Sequence, residues 1–367
     1  MSRNSTAKKR RPSIQAVDLF CGVGGLTHGM LRAGINVRAG VDIDPHCQFP
    51  FEANNQAKFI QSDVAQMQAA TLRQLFQGRQ ITLLAGCAPC QPFSTYSRSG
   101  RNRHYETQWP LLLNFGRLVS ELQPTLITME NVPQLLDHEV FNSFLGNLEG
   151  YALWWKVVDC TSFRIPQTRK RLVLLGSKLG AEKLQLVESE HSPVTVRQTL
   201  GHLRSLAAGE SDPNDPLHVA PSLSAINLAR IKSSTPGGTW RDWPPSLRAK
   251  CHRKSTGQTY PSVYGRMEWE KPSPTITTQS YGYGNGRFGH PEQNRAITLR
   301  EAAMIQTFPE SYKFVASPSE VKFNRLGRLI GNAVPVMLGE EIAKALIKHV
   351  DHFQDSKRSG HDSRERE

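Results

Sequence analysis

The sequence predicts an α/β protein built on a doubly wound, mostly parallel, Rossmann-like sheet that carries a smaller irregular domain. Three observations lead there. From Ile14 to about Ser177, short β-rich apolar runs alternate with amphipathic helical patterns, as strands joined by crossover helices do. The first run ends in "DLF" and opens directly into a glycine-rich turn, "CGVGG", followed by a helical pattern. After Ser177 the texture changes to Pro, Gly, Ser, Thr and Arg, with many turn signals and no long helical period.

Taken in order, strands are expected at "IQAVDLF" (Ile14–Phe20), "VRAGVDI" (Val37–Ile43), "KFIQS" (Lys58–Ser62), "ITLLAG" (Ile81–Gly86), "TLITME" (Thr125–Glu130), "LWWKVVD" (Leu153–Asp159) and "RLVLLGS" (Arg171–Ser177). Between them "GGLTHGMLRAG" reads as a helix stopped at Gly34, and "WPLLLNFGRLVSELQ" as a longer one. The turn-rich stretch at 191–297 predicts an irregular, short-stranded module. "TLREAAMIQTF" and "GNAVPVMLGEEIAKALIKHV" then return to helical character, and the second is expected to pack back on the first domain. The organisation expected is a disordered basic tail at 1–12, the sheet domain at 13–190, the irregular module at 191–297, a hinge and returning helix at 298–350, and a disordered tail at 351–367.

Charged residues at 21% and apolar residues at 38% of 367 exclude a largely disordered chain. No apolar run approaches the roughly 18 residues of a membrane span, and the N-terminus lacks the apolar core of a signal peptide. A cytoplasmic protein is expected. The net charge of +13 calls for a polyanionic partner, nucleic acid first. The basic residues of the two tails read equally well as solvated arms, so the informative charge lies in loops: Arg98, Arg101 and Arg103, then Arg241, Arg248, Lys250, Arg253 and Lys254. Six cysteines in a chain this long are no disulfide scaffold. Cys87 and Cys90 are spaced C-x-x-C, but no second Cys or His pair with metal spacing follows, so no metal is expected. A redox pair wants a helix after the second cysteine, whereas a polar basic loop follows here.

In an open parallel sheet, ligands bind beyond the carboxyl ends of the strands. Asp18 to Gly25 follow the first strand, Asp42 and Asp44 the second, Asp63 the third, Cys87 to Gln91 the fourth, and Glu130 and Asn131 the fifth. All are therefore expected along one edge. The glycine-rich turn alone is also what a ligand-free Rossmann turn would show, and its glycines miss the third position of the dinucleotide G-x-G-x-x-G pattern. A lone Asp at a strand end is usually a helix cap, but three at successive ends beside a glycine loop favour a nucleoside, with Asp42 on the ribose and Asp63 on the adenine. Pro89 and Pro92 flank Cys90 and hold its sulfur in one orientation, as a nucleophile requires. Glu130 ends an apolar strand, where burial prepares a general acid. Arg169 and Arg171, two apart, share one face of an extended segment.

These residues together resemble the DNA (cytosine-5) methyltransferase family, from Asp18 to about Val336. "DLFCGVGGL", "VDID" and "SDV" are similar to its cofactor motifs, "PCQ" to its nucleophile motif, "ENV" to its acid motif and "QTRKR" to its paired-arginine motif. "PTITT", "TLREAAMIQTFP" and "GNAVP" resemble the late segments. The nucleophile motif reads "GCAPCQPFS" where many members have "GGPPCQGFS". The resemblance implies a methyltransferase version of the Rossmann-like fold with S-adenosylmethionine as cofactor. Its site would comprise Asp18, Phe20, Gly22, Gly24, Gly25, Leu26, Asp42, Ile43, Asp63, Val64 and Pro89, completed by Asn332 and Val334. Cys90 would add to C6 of a cytosine flipped from the duplex, Glu130 would hold and protonate N3, and Arg171, supported by Arg169, would bind the O2 edge.

By the same resemblance, the 191–297 module is the target-recognition domain. Ser94, Arg98, Arg101 and Arg103 in the loop after the nucleophile are expected on phosphates. Arg241, Arg248, His252, Arg253, Lys254, Tyr260, Arg266, Thr277, Tyr283 and Arg287 are expected at the DNA. The partners implied are double-stranded DNA and a cognate restriction endonuclease, with the enzyme a nucleoid-associated monomer. Three alternatives are weighed. A tRNA-methylating branch carries a Cys-Phe-Thr signature that the module lacks. A catalytically silent homologue would have no reason to keep Cys90, Glu130 and Arg171. An NAD-dependent oxidoreductase fails on glycine spacing.

Overall fold

The computed structural model describes residues 13–78, 80–89, 109–188 and 191–362. Seven strands form one sheet: β1 (Ile14–Leu19), β2 (Asn36–Asp42), β3 (Lys58–Gln61), β4 (Ile81–Gly86), β5 (Leu126–Asn131), β6 (Ala152–Asp159) and β7 (Lys170–Ser177). Their order is β3-β2-β1-β4-β5-β7-β6, with the first five parallel and β7 antiparallel to both neighbours. Each expected strand is present to within a residue or two.

The antiparallel β7 matters for the site. Its register sets Glu130 opposite Val173 and Asn131 opposite Leu172, so the start of β7 lies beside the end of β5. The paired arginines thus reach the carboxyl edge of the sheet, which a parallel strand in that place would not allow.

Side chains alternate across the sheet with the period of two that pleating imposes. Ala16, Leu83, Ala85, Leu126, Val173 and Leu175 pack under helix α1 (Gly25–Arg32) and the last helix. Val17, Leu19, Leu84, Ile127, Met129, Leu172 and Leu174 face the other way. They pack beneath α3 (Ala69–Arg73), α4 (Trp109–Leu122) and α5 (Glu139–Gly146); a short α2 (Gln48–Glu52) precedes β3.

The segment from 191 onward folds as α6 (Val196–Leu200), a two-stranded hairpin at 211–219, α7 (Ala225–Lys232), several short 3-10 turns, α8 (Leu299–Ile305), α9 (Phe323–Asn332) and α10 (Val336–Asp362). Much of it shares one core with the sheet domain: Val196, Leu200, Met267, Ile276 and Phe288 cluster with Cys21, Phe51 and Phe59 as well as with α8 and α9. A smaller cluster of Ile231, Tyr283 and Ala296 belongs to the module itself. The chain returns to the sheet, and α10 continues to Asp362, past position 351 where a disordered tail was expected to begin.

Close packing explains two glycines of the first turn and helix. A Cβ on Gly25 would lie 2.1 Å from the Val334 carbonyl oxygen, and one on Gly29 2.3 Å from that of Val336. Glycine at both positions lets the returning "NAVPV" segment lie directly against α1. Among the described residues no helix is long and apolar enough to cross a membrane.

Candidate active site

Along the sheet edge the sequence order becomes a spatial order, from Asp63 beyond β3 through Asp42, Asp18 and Cys87 to Glu130 at the end of β5. Asp18 is fully buried; its Oδ2 accepts a 2.7 Å hydrogen bond from Thr27 Oγ1, and its Oδ1 has no partner among the described residues. Burial, followed by the negative charge of Asp42, pushes its carboxyl up to about 7. Asp42 ties two loops together, accepting from the backbone N–H of Gly22 on Oδ2 and of Asp44 on Oδ1, both at 2.9 Å. Its carboxyl is raised by burial, against which those two N–H groups act.

Around this carboxylate the surface is shaped for a flat, polar-edged group. Ile43 is 64% exposed, an apolar side chain left uncovered beside the carboxylates. Gly22 has φ +52° and no heavy atom within 4 Å of where a Cβ would stand, so space is open at the turn. Phe20 beside it is half-buried and held at φ 59°, a conformation that non-glycine residues adopt at some cost. Asp63 does cap a turn, accepting from Ala65 N at 2.9 Å through Oδ1. The side chains of Val64, Leu26 and Val334 are in the core, Asn332 and Pro89 are exposed, Gly24 is buried against Asn55, Phe51 and Tyr312, and Gly25 is buried under the returning segment. An orphaned buried oxygen, an uncovered apolar face and an open glycine turn fit an adenosine-bearing cofactor.

A second group of side chains lies on the neighbouring strands. Glu130 is 3% exposed, and its Oε1 is 2.8 Å from Arg171 Nε, whose side chain is 13% exposed. The N–H is not aligned on that oxygen, so Oε1 remains without a hydrogen-bond donor among the described residues. Oε2 accepts a 2.8 Å hydrogen bond from the Cys87 thiol. Arg171 Nη1 donates to the Lys170 carbonyl, and the buried Arg169 Nη1 donates to that of Ile276. Burial and then the adjacent Arg171 bring Arg169 down to about 9, so its guanidinium is a cation at neutral pH. Asn131 Nδ2 donates to Ala88 O at 3.3 Å and pins the loop that leads to Pro89.

Cys90 lies outside the described residues, as do Ser94, Arg98, Arg101 and Arg103.

The module gives a mixed result. Arg241, Arg253, Lys254 and Tyr260 are exposed, while Arg248 and Thr277 are half-buried. Arg266 is turned inward: its guanidinium donates to the carbonyls of Ile231, Ser234, His290 and Gln293 and to Asn294 Oδ1, which removes it from any groove. Tyr283 is likewise buried with its hydroxyl on Ser234, and His252 stacks on Trp240 with centroids 4.2 Å apart. Arg287 holds the carbonyls of Gly238 and Arg266. All four were expected at DNA; His252, Arg266 and Tyr283 are buried within the module, while Arg287 is half-buried with its Nη1 on those carbonyls.

Residues 14–348 match the family model described as C-5 cytosine-specific DNA methylase. The chain belongs to that family. It is a DNA cytosine-5 methyltransferase with a Rossmann-like methyltransferase fold. A Type II methylase from Herpetosiphon aurantiacus, M.HgiDII, is 48% identical to this methylase over 93% of its chain and 97% of the relative's. M1.HphI, a Type II methyltransferase from Haemophilus parahaemolyticus, is 32% identical over 92% and 87%. Among solved structures, a DNA modification methyltransferase described as putative and encoded within an E. coli prophage aligns with a TM-score of 0.69 at 24% identity. The alignment covers 92% of this chain and 99% of that one.

Three contributors to the methylase site were not assigned roles on sequence grounds. Thr27 donates to Asp18, Asn131 to the Ala88 carbonyl, and Cys87 to Glu130. Asn131 stands inside the quoted "ENV" motif. Cys87 was expected at the carboxyl edge and weighed as half of a C-x-x-C pair, with no role of its own.

Proposed function

We propose that this methylase transfers a methyl group to C5 of a cytosine flipped out of duplex DNA, within a short recognition sequence, as the modification enzyme of a Type II system. The observation that carries the reading is the buried Glu130–Arg171 pair at the carboxyl edge. It sits two strands from the Asp18 turn and leaves a carboxylate oxygen without a donor among the described residues. A pyrimidine presents an N3 acceptor and an O2 acceptor side by side, which a protonated carboxyl and a guanidinium match.

The cofactor implied is S-adenosylmethionine, held by Asp42, Ile43, Asp63, Phe20 and the Gly22 turn with Asn332 from the returning segment. When bound it supplies an electrophilic methyl group and leaves as the neutral thioether. The chain's own residues do the rest. The Cys90 thiolate adds to C6 while Glu130 gives its proton to N3, and the electron pair of the C5–C6 double bond becomes available at C5. After methylation, loss of the C5 proton to a base expels the Cys90 thiolate and restores the double bond, and Glu130 recovers the N3 proton. Arg171 holds O2 and offsets the charge of Glu130 between turnovers.

The test is transfer of labelled methyl from S-adenosylmethionine to unmethylated genomic DNA, beside the Cys90→Ser variant and a tRNA pool. Label on DNA that requires Cys90 is expected, and bisulfite sequencing then maps the recognition site. Label on tRNA alone, or none despite cofactor binding, overturns the reading.

A further inference from the structure

Among the described residues the carboxylate of Glu130 has two polar contacts, and only one belongs to the paired-arginine motif. A single contact on Oε1 leaves the carboxyl plane free, because the terminal torsion of glutamate is a broad, roughly two-fold rotor. A second donor on Oε2 defines that plane, and Cys87 Sγ supplies it at 2.8 Å. The thiol is itself held in place. Cys87 N donates to Leu19 O at 3.3 Å, and the next carbonyl, that of Ala88, accepts from Asn131 Nδ2 at 3.3 Å, so backbone contacts fix the turn from β1 and from β5. Cys87 is half-buried at the end of β4, on the face of the sheet shared with Arg171. Its position is three residues before the nucleophile, where the motif form "GGPPCQ" has glycine and no side chain to donate.

We infer that Cys87 is a positioning residue of this enzyme, its thiol setting the plane of the Glu130 carboxyl that meets the cytosine N3. The inference rests on the reading of Glu130 as the acid. The thiol donates to the carboxylate, so its removal leaves Oε2 without that donor. It also frees the rotor, which costs turnover rather than affinity.

The experiment uses the full-length protein, S-adenosylmethionine and substrate DNA, with kcat and KM measured from pH 5.5 to 9.5 for wild type, Cys87→Ala, Cys87→Ser and Glu130→Gln. For Cys87→Ala a roughly tenfold fall in kcat is expected, with KM for DNA and cofactor changed by less than about twofold. Cys87→Ser keeps a donor and should recover most of kcat. Wild-type kcat in Cys87→Ala overturns the inference, as does equal loss in the alanine and serine variants, which would make sulfur volume the cause. Unimpaired Glu130→Gln overturns the acid reading and this inference with it. Impaired Glu130→Gln beside normal Cys87→Ala overturns this inference alone. If Cys87→Ala does not fold, coincidence of the serine and wild-type profiles is the deciding result.

Discussion

The carboxyl edge of the sheet and the 191–297 module both concentrate polar side chains, yet they use them differently. At the edge the buried polar atoms left over are carboxylate oxygens: Asp18 Oδ1 and Glu130 Oε1 have no hydrogen-bond donor among the described residues. In the module Arg248 Nε, His252 Nδ1 and Ser280 Oγ are left over, while Arg266 is saturated by backbone carbonyls and an amide oxygen. Strands satisfy their own backbone, so side chains at their ends are free for a ligand. A chain of short turns leaves carbonyls outside any ladder, and a guanidinium with five donors is the side chain best able to satisfy several of them at once. Arginine therefore means different things in the two regions.

The strongest way to break this comparison is Glu130→Gln. The amide keeps shape and volume but cannot give a proton to N3, so kcat should fall by about 10²–10⁴-fold with calorimetric binding of S-adenosylmethionine unchanged. A loss of cofactor binding instead would mean that Glu130 is a structural member of the edge.

Arg266→Ala probes the other region. Removing it leaves several buried carbonyls unpaired, at about 1–3 kcal/mol each before relaxation, so a loss of about 3–5 kcal/mol of stability is expected in denaturant titration. A variant of normal stability with weakened DNA binding would return Arg266 to the groove.

Asp18 sharpens the comparison by pH. Its carboxyl titrates at about 7 in the folded chain and near 3.9 in an unfolded one. Between those values the folded state holds more protons, so stability falls as pH rises through that window and levels off above about 7. Asp18→Asn removes this dependence while retaining an acceptor for Thr27. Relative to wild type it should gain about 2–3 kcal/mol of cofactor-free stability between pH 5 and 8. Parallel stability curves for the two proteins would show that Asp18 is ionised throughout.

How much of this was legible in the sequence follows the same division. All seven strands could be read from apolar runs, and the rule about carboxyl ends placed Asp18, Asp42 and Glu130 together because it depends only on chain direction. The direction of β7 is not written in its residues: "RLVLLGS" would suit either orientation, and its antiparallel pairing is settled by the packed sheet. Cys87 was read along the chain, against Cys90, whereas its contact is Glu130, 43 residues away. In the module, positive charge suggested an interface, but His252, Arg266 and Tyr283 turn inward because the local core is small. Only aromatic stacking and arginine-to-carbonyl bonds are at hand to complete it.

Arg241 and Arg253 remain exposed, each with one guanidinium nitrogen on a backbone carbonyl, Gln258 O and Pro245 O respectively. Such contacts are solvent-exposed and leave the other donors of each fork available to phosphates. Alanine at either position should leave thermal stability nearly unchanged. It should weaken binding to cognate and non-cognate duplexes alike by a few-fold and lower the magnitude of the salt slope by about one. A loss confined to the cognate duplex would make that arginine a base reader, since phosphate contacts carry no sequence information. The module's outer face would then resemble the sheet edge more than its own interior, with side chains held by the backbone and donors kept for the substrate.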